Sequence, residues 1–423
     1  MNKKRLISII ALGAIIIGAL MMTFSLHSEV KHEEKRVYSL NDTLTNEMSA
    51  IPELKKMDKK IEAFMKKWEL KGVSLAIARN DSLLYAKGYG WADQENNVKM
   101  GPGNILRIAS VSKLVTAAGI MKLKEEGKLS LDDKVFGPEG ILSDSLYTSW
   151  IKDRHIYDIT VEHLLRHQAG FGRDPLFSVL DVRQQLKLDR TPEDDDYIYV
   201  TLRKNVRFKP GESQSYSNFG YMLLSKIIER TSGQSYEEYI QENILQPAGC
   251  TDFHIAGNYY TEKRENEVRY YTHEGPGKFV PEYNGSGNMV ERSNGGNNIR
   301  ALSGAGAWTA SPAELCRLVC SMDRDTLVPD VLSLNSINEM TEYFDSNTFS
   351  LGWNDTKPNG TWTRTGTLAG TSALVKRFPN GELWVMVTNT STWKGPGFTR
   401  RIAQLFDQCR DLYGDNLPAR DLF

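Results

Sequence analysis

Cysteine is scarce in this chain, at four in 423 residues, and none of Cys250, Cys316, Cys320 and Cys409 forms a CxxC pair. A disulfide framework, a zinc ribbon and dithiol redox chemistry are therefore poor readings. An excess of charge is missing too. Lys plus Arg (52) against Asp plus Glu (53) leaves a formal net charge of −1, which supplies no electrostatic footprint for nucleic acid. Neither GxGxxG nor GxxxxGK[ST] occurs, so the common dinucleotide and phosphate cradles are absent. There is no internal repeat and no extended low-complexity segment. What remains, 40% hydrophobic and 25% charged, is the composition of a globular protein able to bury a large core.

The chain has a single long apolar run. Lys3, Lys4 and Arg5 precede the uncharged stretch Leu6 to Phe24, which is longer than the usual ~7–15 residues of a cleavable signal core and close to the ~20 that span a bilayer as a helix. Residues 1–25 are expected to be a signal peptide or an N-terminal membrane anchor, with the anchor favoured because Thr23 and Ser25 make a poor cleavage site. A positive flank held inside puts the rest of the chain in the cell envelope, outside the cytoplasmic membrane, in the periplasm or its equivalent, either anchored or secreted. Residues 26–50 are polar and aperiodic and are expected to be a tether.

From Ile51 the apolar residues Leu54, Met57, Ile61, Phe64, Met65 and Trp68 recur at helical spacing, with Gly72 as the expected stop. Val73, Leu75 and Ile77 then alternate, Asn80-Asp81 offers turn chemistry, and Leu83 to Tyr89 completes a hairpin. A second hairpin, Ser372–Phe378 and Leu383–Thr388 about Pro379-Asn380-Gly381, precedes a helical pattern through Ile402, Leu405, Phe406 and Leu412. Helical segments are expected around 111–126, 160–167, 219–231, 235–245 and 312–322. Hairpins imply antiparallel pairing, which predicts an α+β domain over residues 51–415 rather than a doubly wound parallel sheet.

Ser-x-x-Lys occurs four times, from Ser28, Ser110, Ser149 and Ser391, and only Ser110 opens a sustained helical pattern. Spacing of three puts Ser110 and Lys113 on one helix face. The helix N-terminus adds donors and a positive field where an attacked carbonyl develops negative charge. The competing reading is an N-cap serine followed by a surface lysine. Tyr216-Ser217-Asn218 lies between a Pro210-Gly211 turn and an apolar helix pattern from Phe219. A phenol near cations can carry a proton, and a carboxamide can accept from lysine and donate to substrate. A core tyrosine with an Asn cap is the bland alternative. Arg364-Thr365-Gly366-Thr367 contains the chain's only Thr-Gly dipeptide. Here a fixed cation on a strand can hold a carboxylate, the glycine allows close approach, and the Thr367 N–H can stabilise an oxyanion; alternatively Gly366 marks a bulge.

Together these segments resemble the serine β-lactamase and penicillin-binding protein superfamily, with its SxxK, [SY]xN and [KH][TS]G motifs, in the branch that includes class C β-lactamases. Further resemblance lies in Leu164-Leu165-Arg166-His167-Gln168-Ala169-Gly170, Pro210-Gly211-Glu212, Gly304-Ala305-Gly306-Ala307-Trp308-Thr309 and Leu351-Gly352-Trp353. The resemblance implies a β-lactamase/transpeptidase-like fold: an antiparallel sheet from both chain ends flanked by helices, with an inserted helical lobe. It also implies a serine hydrolase that forms an acyl-enzyme on Ser110, with Lys113 and Tyr216 sharing the proton work. Asn218 would position Lys113 and the substrate amide, the Ser110 and Thr367 amides would form the oxyanion hole, and no metal or organic cofactor is needed.

Arg364 departs from the usual Lys or His; always protonated, it cannot be a base but preserves a positive field. Its planar fork predicts a carboxylate on the substrate, a peptide, amide or ester such as one derived from peptidoglycan, with Thr365 and Gly366 beside it. A strict β-lactamase and a catalytically silent peptide-binding protein are the alternatives. His163 and His167 are four apart, without the Glu of HExxH, and are read as structural. Cys316 and Cys320 are read as buried small side chains, and Glu193 to Asp196 as a solvated loop.

Overall fold

Strands from the two ends of the chain pair side by side in one sheet. The computed structural model describes residues 39–273, 278–345, 348–413 and 417–423. The early part supplies β1 (Gly72–Arg79), β2 (Ser82–Asp93) and the short β3 (Val98–Lys99), and the late part β4 (Asp355–Thr356), β5 (Trp362–Leu368), β6 (Thr371–Arg377) and β7 (Glu382–Thr388). Their order is β3-β2-β1-β7-β6-β5-β4, and every neighbouring pair is antiparallel. The ends meet where β1 and β7 run in register from Val73↔Thr388 to Arg79↔Glu382. The α+β fold expected from the hairpins is the one found.

The sheet is covered on both faces, and the period of two in its strands sorts side chains between two cores. Leu383, Val385 and Val387 of β7 join the core shared with the central helices, whereas Trp384 and Met386 join the opposite one. On that second face lie α1 (Lys55–Trp68) and, at the end of the chain, a helix from Thr399 to Tyr413. Met57, Ile61 and Met65 of α1 meet Ile402, Leu405, Phe406 and Cys409 of the last helix, the i, i+3, i+4, i+7 stripe of a half-buried helix. Each such apolar side chain taken from water contributes about 1.5–3 kcal/mol before entropy is counted.

The first face carries α2 (Ser112–Glu125), α3 (Asn218–Ser232) and α4 (Pro312–Cys320), and the last helix is then α5 (Thr399–Tyr413). Ser112 through Met121 of α2 are all buried, so this helix runs through the core rather than over it. Close passage is possible because Gly119 lacks a Cβ, which would lie 2.4 Å from Ile240 Cδ1.

Several expectations need correction. Helix α1 is stopped by Glu69 in the left-handed region (φ 56°), with its amide capping Lys66 and Met65 carbonyls; Gly72 instead opens β1, where a Cβ would meet the Trp91 carbonyl at 2.2 Å. Of the expected tether, residues 39–50 belong to the folded unit. Asn46 and Ser49 accept hydrogen bonds from the amides of Gly88 and Ala86 on β2, and Asn41 donates to Asp252. The compact unit runs from Ser39 to Phe423, with Leu422 donating its amide to the Leu83 carbonyl. The acidic run is not a loop, since Glu193 caps and Asp194 opens a helix, Asp194–Leu202. Carboxylates are favoured at that end by the helix dipole and by the exposed N–H groups. The apolar run Leu6 to Phe24 lies outside the described residues, among which no helix is long and apolar enough to cross a membrane.

Candidate active site

Ser110 sits in a single 3-10 turn, Ala109–Val111, that feeds α2. Ala109 adopts φ 49°, a left-handed conformation that turns the chain sharply from strand into helix. Lys113, one turn on, is fully buried. Its ammonium lies 3.3 Å from Ser110 Oγ, 2.8 Å from Asn218 Oδ1 and 2.6 Å from the Ala305 carbonyl. The surface-lysine reading of this pair therefore fails.

Asn218 reaches Lys113 because it is not the helix cap. Ser217 caps α3, its hydroxyl accepting from the Gly220 amide, which leaves the Asn218 carboxamide to point at the ammonium. Asp174 secures the same end: Oδ2 accepts from the amides of Asn218 at 2.6 Å and Phe219 at 3.1 Å. The Ala305 carbonyl arrives through the small-residue segment around it. A Cβ on Gly304 would lie 2.8 Å from the Tyr221 carbonyl and 2.9 Å from Thr116 Oγ1, so only glycine lets that turn settle against α2 and α3.

Tyr216 is 40% exposed and walls the cleft, while its hydroxyl lies 3.3 Å from Arg364 Nη2. Its ring packs 4.4 Å from that of His167, centroid to centroid. His167, at φ 59°, accepts the Ser217 amide on Nδ1. Burial, with Lys113 and Arg364 adding to it, holds this imidazole neutral, well below the usual histidine range. Nδ1 of His163 likewise accepts a backbone amide, that of Thr160. Both histidines thus hold loops, His167 directly beneath the phenol.

Arg364 is fully buried. Nε donates to the Ser110 carbonyl at 2.8 Å and Nη2 to the phenol. The expectation that its fork receives a substrate carboxylate meets a side chain with no exposed surface, whose Nη2 lies against the phenol instead. Burial lowers Lys113 to about 8, with the Arg364 cation acting in the same direction and Tyr216 opposing. For Tyr216 burial pushes upward but is outweighed by Lys113 and Arg364, and the phenol falls to about 8. Phenol and amine form one coupled pair, each lowered to about 8.

On β5, Thr363, Thr365 and Thr367 share an orientation, because backbone amides alternate along a strand. The Thr365 amide donates to Asn354 Oδ1 at 2.7 Å, on the side away from β6, so the Thr367 N–H faces that same edge, toward the cleft. Gly366 keeps the β5–β6 register without a shift, which excludes the bulge reading. Its missing Cβ is what permits contact: one would lie 2.3 Å from the Ile108 carbonyl and 3.1 Å from the Ser110 amide. The cleft, about 450 Å³, is lined by Ser110, Tyr216, Asn218, Thr365 and Thr367 and by the apolar Phe177, Leu302, Leu368 and Pro396, and among the described residues no charged side chain lines it. Of the other copies of the serine-lysine pattern, that at Ser28 lies outside the described residues, while Ser149 Oγ donates to its own helix and Ser391 Oγ accepts from Gly370.

Sequence reasoning missed Asp174, Asn354 and Ala305 as site components. Asp174 and Asn354 carried no motif of their own, and Ala305 contributes a carbonyl that any residue possesses.

A Beta-lactamase family model matches residues 57–407, and the chain belongs to that family, within the serine β-lactamase/transpeptidase superfamily, whose members are serine hydrolases. Protein flp of Staphylococcus aureus (strain N315) is 30% identical over 54% of this chain and 43% of its own; the chain thus spans less than half of that relative. Among solved structures, the octameric penicillin-binding protein homologue from Pyrococcus abyssi is similar at TM-score 0.63 and 24% identity, over 84% of this chain and 77% of that one. The D-amino acid amidase from Ochrobactrum anthropi SV3 is similar at TM-score 0.66 and 20% identity, over 84% and 98%. These two likenesses speak to the fold alone.

Proposed function

We propose that the chain is a serine hydrolase acting outside the cytoplasmic membrane, with Ser110 as nucleophile on an amide, peptide or ester whose groups beside the scissile bond are uncharged and apolar. The observation that carries this reading is the buried Lys113 amine, 3.3 Å from Ser110 Oγ and within a site where Arg364 also supports the Tyr216 phenol.

In this reading Ser110 Oγ forms a bond to the substrate carbonyl carbon while its proton passes to the Lys113–Tyr216 pair, which has already lost one proton. The tetrahedral oxyanion is met by the Ser110 and Thr367 amides. Collapse breaks the bond to the leaving amine or alkoxide, which takes the proton back from the pair. Water then attacks the acyl-enzyme, its proton passing to the pair and from there to Ser110 Oγ as the acyl–oxygen bond breaks and the acid leaves. Asn218 fixes Lys113, and the Asn354 contact with Thr365 holds the substrate-binding strand edge.

An uncharged cleft wall with Phe177, Leu302 and Leu368 favours an apolar acyl or amine group over a carboxylate. The location rests on the positive flank and apolar run at the N-terminus. Incubation with a fluorophosphonate or a labelled penicillin, followed by peptide mapping, tests the chemistry. An adduct on Ser110 that is lost in Ser110→Ala is expected; a folded protein that forms none with either probe is the catalytically silent binder.

A further inference from the structure

The basic residues of this nearly neutral chain are not evenly spread. Helices α1 and α5, which cover the sheet face opposite α2, carry nine Lys or Arg against four Asp or Glu. Two of those acids are committed elsewhere, Asp58 to Lys87 on β2 and Asp407 to Lys376 on β6, and of the nine cations Arg410 is committed to Glu382 on β7. Glu62 and Asp411 remain. Along one side of this layer runs a groove of about 580 Å³ lined by Lys60, Lys67, Lys394 and Arg401, with no carboxylate in its wall. None of these four cations pairs with an acid among the described residues; Arg401 donates to Gln404.

The groove has an aromatic floor. Trp68 and Trp393 lie 6.2 Å apart, centroid to centroid, and Phe398 packs against Trp68 at 5.3 Å. Trp393 is 66% exposed, the most exposed large apolar side chain among the described residues. Lys394 Nζ sits 4.0 Å above its ring. The catalytic scheme uses neither this exposed tryptophan nor Lys394 beside it.

We propose that this face of α1 and α5 docks on an anionic lipid bilayer, with Trp393 entering the headgroup region and Lys60, Lys67, Lys394 and Arg401 contacting lipid phosphates. Charge complementarity selects an anionic partner, since each cation near such a surface adds attraction. The amphipathic indole selects a membrane interface, where tryptophan is enriched and lysine stems lie along apolar surface. The Leu6 to Phe24 run supplies a second apolar element in the same chain.

The test uses the full chain in phosphatidylcholine vesicles with and without phosphatidylglycerol. The fluorescence of Trp393 is isolated as the difference between the wild type and Trp393→Phe. With phosphatidylglycerol this component is expected to shift blue and to lose acrylamide quenching, and high salt is expected to reverse both. Each of K60E, K67E, K394E and R401E is expected to weaken the contact by at least about fivefold, the factor that one such charge is worth. Circular dichroism melting checks that the variants fold, and because any N-terminal anchoring is common to all of them, it cannot produce the difference. Equal quenching of Trp393 in both lipid compositions overturns the proposal. So does a blue shift with soluble polyphosphate but not with vesicles, which assigns the groove to an anionic polymer.

Discussion

Arg364→Gln removes a buried cation and keeps a shorter, neutral polar side chain. In the native site Arg364 Nη2 is 3.3 Å from the Tyr216 hydroxyl, and the guanidinium acts downward on both Lys113 and Tyr216, each of which stands at about 8. Unit charges separated by about 4 Å at an effective dielectric near 20 interact by ~4 kcal/mol, or about three pKa units, which is the ceiling. Charge delocalisation over the guanidinium and water entry reduce this to about one to three units.

Without the cation, the amine and the phenol both hold their protons to higher pH. The reactive form is the pair after loss of one proton, so kcat/KM is expected to rise with pH through about 8 in the native enzyme and to do so correspondingly later in the variant. At neutral pH the loss is then about 10- to 1000-fold, diminishing as pH is raised. Arg364→Lys restores a charge and is expected to return the limb toward its native position. Stopped-flow acylation of Ser110 by a chromogenic ester, followed across the neutral and alkaline range, reads the limb directly. If Arg364→Gln melts like the native protein and its acid limb does not move, the electrostatic role assigned to this residue is wrong.

Gly366→Ala forces a Cβ to within 2.3 Å of the Ile108 carbonyl and must push β5 away from Ser110; a loss of about 100-fold in kcat with a native circular dichroism spectrum is expected. Asp174→Ala leaves the amides of Asn218 and Phe219 without their acceptor, costing about 1 kcal/mol of stability by denaturant titration and loosening Asn218 from Lys113, with kcat falling more than KM rises. Glu382 is nearly buried and accepts from Arg79, Arg410 and Tyr413, tying α5 to the sheet. Burial pushes its carboxyl upward, but these hydrogen bonds outweigh burial and hold it at about 2. A depressed carboxylate contributes stability that is present above its unfolded value and lost as pH falls toward 2, so chemical denaturation is expected to show a decline between about pH 4.5 and about pH 2. Glu382→Gln should flatten that decline and cost about 3 kcal/mol at neutral pH.

The three chemical segments were legible because each is short and local. Ser110 and Lys113 share a helix face by spacing alone, and the two hairpins announced an antiparallel sheet through alternation and turn residues. The capping pattern at Glu193 was equally local but was read as a charged loop, since acids at a helix start look like any solvated acidic run until the helix is seen. Gly72 reads as a stop because glycine usually is one; its value in the fold is the close approach of Trp91, a contact with a residue on the neighbouring strand. The folded unit extends to Ser39 because Asn46 and Ser49 bond to β2, a long-range pairing that polar composition conceals.

Sequence by itself determined which groups are present: a hydroxyl and an amine one turn apart, a phenol and a carboxamide, and an arginine where lysine or histidine is usual. Only tertiary structure decided what that arginine does. Its fork points inward because the strand bearing it is pressed against the Ser110 turn at Gly366, so a residue suited to a substrate carboxylate lies against the Ser110 carbonyl and the Tyr216 hydroxyl instead. Local periodicity fixes which residues share a face; the field at a buried atom depends on groups hundreds of residues away, and only the packed chain brings them together.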